Sequence, residues 1–267
     1  MTHRSDIAVG FHAVQSLLKT NPGRARQLLV AKGRHDQRLQ KTIALAEKAD
    51  IEVQRVDSAD LDKLADSAKH QGVVLYADKA RVYDERWLFE LLDNIDHQPL
   101  ILVLDGLTDP HNLGACLRSA DGAGVDAVIV PRDKSCGLTP VVRKVACGAA
   151  DTIPFVLVTN LSRALEKLKD RGIWVVGAAG EAEQCVAQVD YNMPMAVVLG
   201  SEDRGLRRLT RECCDYLVSI PMAGMVASLN VSVATGIMLY EIMRQRSLGG
   251  NCLGKGEVGA SGKGSAG

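Results

Sequence analysis

The chain has 267 residues, 46% of them apolar, and its 32 basic and 32 acidic residues cancel. That length exceeds one average domain and predicts two, with a sizeable core in the larger. The charge balance excludes a protein-wide positive field, so any contact with nucleic acid has to come from local basic patches. Seven cysteines, with Cys213 and Cys214 adjacent and no C-x-x-C pair, argue against a disulfide framework and a zinc site, so no metal is expected. The first residues lack an apolar signal region, and no apolar run approaches bilayer length. A cytoplasmic protein with no membrane partner is the expectation.

Phe11 to Thr20 reads as a helix ended by Asn21-Pro22-Gly23, followed by a strand at Gln27 to Ala31, a helix at Gln37 to Lys48 and a strand at Ile51 to Val56. Another helix starts at Ser58 and gives way to His70-Gln71-Gly72 before a strand at Val73 to Ala77. These residues, 1–78, are predicted to form one small α/β domain. Between Lys19 and Lys41 it carries seven basic residues, Arg24, Arg26, Arg34 and Arg38 among them, against the single acid Asp36. That run is either an RNA-binding patch or a set of solvated helix faces.

Residues 79–98 are charged and hold Trp87, Leu88, Leu91 and Leu92 at helical spacing, which predicts a linker with an amphipathic helix. Beyond it, apolar runs at Leu100 to Leu104, Ala127 to Val130, Phe155 to Val158, Ile173 to Val176, Ala196 to Leu199 and Tyr216 to Ile220 alternate with helical segments. A mostly parallel sheet covered on both faces follows, spanning 99–247, with ligands expected at the carboxyl ends of its strands. The last helix opens after Ser228 and Asn230, both good capping residues, with Val231, Ala234, Met238 and Ile242 on one face. The Gly- and Ser-rich residues 248–267 are expected to be a disordered tail.

No dinucleotide fingerprint, P-loop, zinc-protease helix or nucleophile elbow is present. What the loops offer is Asn112 and Arg118 after the first strand, Gly200-Ser201-Glu202-Asp203-Arg204-Gly205 after the fifth, and Pro221, Met222, Ser228, Leu229 and Asn230 after the sixth. The stretch Met222 to Ala227 is too apolar for a solvated loop and suggests a ligand wall. Glu202 alone could equally be a surface carboxylate paired with Arg204 or Arg207.

These loops resemble the three motifs of the SpoU (TrmH) family of RNA ribose 2'-O-methyltransferases. Asn112, Gly114 and Arg118 match the first, Gly200, Glu202 and Gly205 the second, and Pro221, Ser228 and Asn230 the third. The likeness runs from Ile7 to Ser247, and His70-Gln71-Gly72-Val73 matches members with an N-terminal RNA-binding domain similar to ribosomal protein L30e. It implies a SPOUT methyltransferase domain with a deep C-terminal trefoil knot, a homodimer through that domain, and S-adenosylmethionine held by Gly200, Ile220 and Leu229. Leu199, Met222, Val176 and Gly177 are further candidates for the cofactor walls.

The implied reaction methylates a guanosine ribose of large-subunit (23S) ribosomal RNA, in the peptidyl-transferase region. Another rRNA or tRNA nucleotide, or RNA binding without chemistry, are the alternatives. The resemblance casts Arg118 as base, whereas a guanidinium donates and does not accept. Holding a phosphate and stabilising an alkoxide suits it better, with deprotonation through it or through water both open. Asn112 would orient that arginine or the ribose, Glu202 would hold Asn112 or Arg118, and Ser228 and Asn230 would fix the third loop.

Overall fold

The structure, a computed structural model, describes residues 6–65, 69–78, 82–202, 204–226 and 228–249. The expected disordered tail therefore lies outside the described residues from position 250 onward, as do Asp203 and Ala227 of the loops singled out above.

The N-terminal part runs β1 (Asp6–Val9), α1 (Phe11–Thr20), β2 (Ala25–Ala31), α2 (Gln37–Lys48), β3 (Glu52–Val56), α3 (Ser58–Ala65) and β4 (Val73–Ala77). Its four strands lie in the order β1-β4-β2-β3. Alternation along the strands decides which side each helix covers. Leu28, Val30, Val73 and Leu75 face α1 and α2, while Leu29, Ala31 and Val74 face α3 through Leu61. Asp36 caps α2 by accepting from the Leu39 amide at 3.0 Å.

There follow β5 (Val82–Asp84), α4 (Glu85–Asp93), β6 (Leu100–Asp105), α5 (Pro110–Gly122), β7 (Ala127–Pro131), α6 (Pro140–Ala146), α7 (Ala149–Thr152) and β8 (Phe155–Val158). The chain continues through α8 (Leu161–Lys169), β9 (Trp174–Ala178), β10 (Gln184–Cys185), β11 (Met195–Gly200), α9 (Arg208–Glu212), β12 (Tyr216–Ser219) and α10 (Val231–Gly249). Eight strands form one sheet in the order β10-β12-β9-β11-β6-β7-β8-β5, and every neighbouring pair is parallel. Leu102, Leu104, Val128, Val130 and Val197 point to the face covered by α5 and α10; Ile101, Val103, Ile129 and Val198 point to the face covered by α4 and α8. Burial on both faces is why these strands read as unbroken apolar runs.

The segment expected to be a linker is only partly one. Val82–Asp84 adds a strand to the large sheet beside β8, and α4 docks Leu88 and Phe89 against it. Three residues are too few for a strand pattern to register, so only the helix was legible. β1 and the two-residue β10 likewise carry too little periodicity to be predicted.

Helix α10 returns across the sheet with Val231, Met238, Leu239 and Ile242 buried. Thr235 lies 3.3 Å from the Cys116 thiol on α5, a group that burial pushes up to about 11. At the far end the Arg246 guanidinium, its pKa lowered by burial, donates to four carbonyls: Gln98 (3.1 Å), Pro99 (3.4 Å), Tyr191 (3.2 Å) and Met193 (2.7 Å). It ties the helix to the chain entering β6 and β11.

Candidate active site

The order β12-β9-β11-β6 brings four loops to one edge, because parallel strands in register end together: Gly200 lies beside Asp105, and Val218 beside Ala178. β6 leads away through β7 and β8 while β11 lies on its other side, which places these loops at the point where strand order reverses.

A cleft of about 440 Å³ opens there, within the range of small-molecule sites. Leu199, Val218, Ile220 and Leu229 supply apolar walls, Gly200, Met222, Ser228 and Ala234 also line it, and Glu202 and Arg204 bring charge to it. Gly200 is required by space. A Cβ built on it would lie 2.0 Å from the Gly205 carbonyl carbon and 2.3 Å from the Leu206 nitrogen, because Ser201 and Gly205 close a tight backbone bridge over it. The loop is anchored below by buried Asp105, which accepts from the Arg207 amide at 3.0 Å and pairs with the Arg207 guanidinium.

At the mouth, three motif residues meet. Asn112 donates from Nδ2 to Glu202 Oε1 at 3.0 Å, and Asn230 Nδ2 donates to Asn112 Oδ1 at 3.0 Å and also to Glu202. The Asn230 Oδ1 in turn accepts from the Ser232 amide (2.9 Å) and hydroxyl (2.6 Å), which caps α10. Asp109 caps α5 from the residue before Pro110, accepting from the amides of His111 and Asn112. Both amides are thereby fixed in orientation, and Glu202 has amide partners where the sequence also allowed Arg204 or Arg207.

Other expected residues fall elsewhere. Val176 is buried in the core, and Gly177 faces Leu206, Cys214 and Leu217; the cleft wall on that strand is Ala178, Ala179 and Gly180. The pocket begins where the strand stops, one or two residues later than the apolar run suggests. Arg118 is exposed and has no hydrogen bond or ion pair with the described residues. It follows Asn112 by six residues, about 9 Å along α5 and about 120° around it, so Asn112 does not orient it within one chain. Glu181, paired with Arg211 across the cleft rim, was not singled out in the sequence, because nothing local joins positions on different loops.

The basic run is mostly neutralised. Arg24 pairs with Asp151 at 2.5 Å, Arg26 with Asp78, and Arg34 with Asp36, while Arg34 and Arg38 stand 5.0 and 4.7 Å from the Phe11 ring centroid. No group of three or more His, Cys, Asp or Glu side chains suited to a metal occurs among the described residues.

Comparison with known proteins gives the same assignment over nearly the whole chain. Residues 99–240 match the model of the SpoU rRNA Methylase family, and residues 7–83 match that of RNA 2'-O ribose methyltransferase substrate binding. The 23S rRNA (guanosine-2'-O-)-methyltransferase RlmB of Pseudomonas putida is 56% identical, covering 90% of this chain and 96% of that protein. Its Escherichia coli counterpart is 51% identical, covering 91% and 100%. Among solved structures, an RNA 2'-O ribose methyltransferase superposes with a TM-score of 0.73 at 30% identity, covering 91% of this chain and 90% of that one. The SpoU methyltransferase AviRb of Streptomyces viridochromogenes with AdoMet gives 0.75 at 25%, covering 92% of each chain. With its three loops joined at one cleft and these likenesses spanning both halves, the chain belongs to the SpoU rRNA methylase family.

Proposed function

We propose that this chain methylates a guanosine ribose 2'-hydroxyl of 23S ribosomal RNA with S-adenosylmethionine, in the cytoplasm. The carrying observation is the Asn112–Glu202–Asn230 cluster at the mouth of an apolar-walled cleft whose floor tolerates only glycine at position 200. Gly200, Leu199, Ile220 and Leu229 would hold the cofactor, whose adenine suits flat apolar cover and close backbone approach. When bound, S-adenosylmethionine supplies a sulfonium methyl group.

The chain's own residues then have to align the acceptor ribose and manage one proton. Asn112 and Asn230, locked by Glu202, orient the third loop and the sugar, and Ser228 shapes the same wall. Arg118 grips the phosphate next to the acceptor and stabilises the developing alkoxide. Since Arg118 is exposed and is not among the side chains lining its own cleft, in this reading it serves the cleft of a second copy. The knotted, dimeric arrangement of the family belongs to this reading, and Val233, Ile237 and Tyr240 form the exposed apolar face of α10 that a second copy would cover. Met238, read from the sequence on one face with Val231 and Ile242, is buried with them in the core. Sedimentation of the full chain at micromolar concentration should give a dimer, and Tyr240→Glu should shift it to monomer; a monomeric parent chain would remove Arg118 from the active site.

Residues up to 78 serve in this reading as the RNA-binding domain, with Arg26 and Arg38 its exposed arginines among the four named. To test the reaction, the protein is incubated with methyl-labelled cofactor and unmodified 23S transcript, and the labelled nucleotide is mapped. Label on a guanosine ribose is expected; label on a base nitrogen, or only on tRNA, would refute the substrate.

A further inference from the structure

We infer that Asp151 and Arg24 form a latch that sets the posture of the substrate-binding half against the catalytic half, making Asp151 a positioning residue for RNA presentation. None of the four hydrophobic clusters among the described residues spans the two halves; two lie wholly within residues 7–77 and two within residues 83–243. Their relative orientation therefore depends on polar contacts, and these converge on α7.

The Asp151 carboxylate is nearly buried, with 8% of its side chain exposed, and its Oδ1 takes Arg24 Nη1 at 2.5 Å from one half and Arg143 Nη1 at 3.0 Å from the other. Its backbone carbonyl accepts from the Asn21 amide side chain. Arg24 is itself 14% exposed, and from Nη2 (2.8 Å) and Nε (3.2 Å) it donates to the carbonyl of Asp78, where the N-terminal half ends. One guanidinium thus joins the end of the first half to a carboxylate of the second. Beside it the halves meet closely: a Cβ on Gly148, whose φ is +101°, would lie 2.2 Å from Ser16 Oγ.

A polar cleft of about 460 Å³, lined by Asn21, Arg26, Asp78 and Thr152, borders the cluster. A contact of this kind, charged and flanked by space for water, holds a posture without fusing the halves into one core. Arg24 looks in the sequence like one more phosphate-binding arginine, but its charge is spent on Asp151. Asp151 touches neither RNA nor cofactor; it acts by fixing where the RNA-binding surface stands relative to the cleft.

The inference rests on the RNA-methylating role proposed above, and its test separates the two. Full-length Arg24→Gln and Asp151→Asn are compared with the parent by small-angle scattering, cofactor titration, RNA titration at several salt concentrations, and steady-state kinetics on 23S transcript. Both variants should enlarge the radius of gyration and keep cofactor affinity. Both should raise the KM for RNA by about fivefold or more while leaving kcat nearly unchanged, because losing a fixed geometry lowers effective concentration. The double variant should be no worse than the single ones, as expected for partners in one contact. Arg24→Gln should also keep the salt slope of RNA binding.

If Asp151→Asn disturbs folding, Arg24→Gln alone decides, since it leaves the Asp151–Arg143 pair intact. An unchanged radius of gyration would overturn the latch, and so would a slope reduced by about 0.7 to 0.9 with Arg24→Gln, which would make Arg24 a phosphate contact. Expansion of both variants in a protein that does not methylate RNA would uphold the latch and sink the functional reading instead.

Discussion

Arg118→Ala should lower the rate of methyl transfer by about 10²–10³-fold, the usual cost of removing a donor aimed at developing negative charge. Cofactor affinity should stay within a few-fold, because Arg118 is exposed on α5 and is not among the side chains lining the cleft. Arg118→Lys should also be slow, since a point charge does not reproduce a planar fork on a phosphate. Single-turnover transfer to 23S transcript, paired with calorimetric titration of the cofactor, separates these effects. A lysine variant at near-parental rate would show that charge alone suffices. Mixing Arg118→Ala chains with chains carrying Glu202→Gln should restore part of the activity if each cleft takes its arginine from the other copy.

Gly200→Ala should damage the opposite half of the reaction. Its methyl group would meet backbone, the carbonyl of Gly205 and the nitrogen of Leu206, and neither can rotate aside as a side chain would. Overpacking of this sort costs about 1–3 kcal/mol. If the strain falls on the bound form of the loop, cofactor affinity drops by roughly 5- to 150-fold. Gly224→Ala is the matched control, because nothing lies within 4 Å of a Cβ there. Titration with S-adenosylmethionine, alongside thermal melts to confirm folding, reads the difference; equal affinity in the two variants would mean that the Ser201–Gly205 bridge does not shape the pocket.

The fold was legible where burial writes a pattern. Leu100–Asp105 and Met195–Gly200 are covered on both faces, so their apolar runs could be read as central strands, while α1 shows its core face as Phe11, Val14, Leu17 and Leu18. Asn112, Glu202 and Asn230 could be named from the motifs they resemble. That they bond to one another could not, since 90 residues separate the first two and 28 the last two. The same limit hid Asp105 under the second loop and Asp151 under Arg24, partners 102 and 127 residues away. Charge patterning along a chain reports which residues are basic; only the folded chain reports which of them already hold an acid.

The strand β5 has a bearing on how this protein can be cut into pieces. An excision starting at residue 99, where the methylase family match begins, would discard Val82–Asp84 and α4 and strip the cover from β8, whose sequence is Phe-Val-Leu-Val. An uncovered apolar strand of that composition is a template for pairing between molecules, and such a fragment is expected to precipitate on expression. Starting the fragment at residue 82 keeps the guard in place. Both edges of this long sheet are its shortest strands, three residues at β5 and two at β10, too brief to recruit a neighbour.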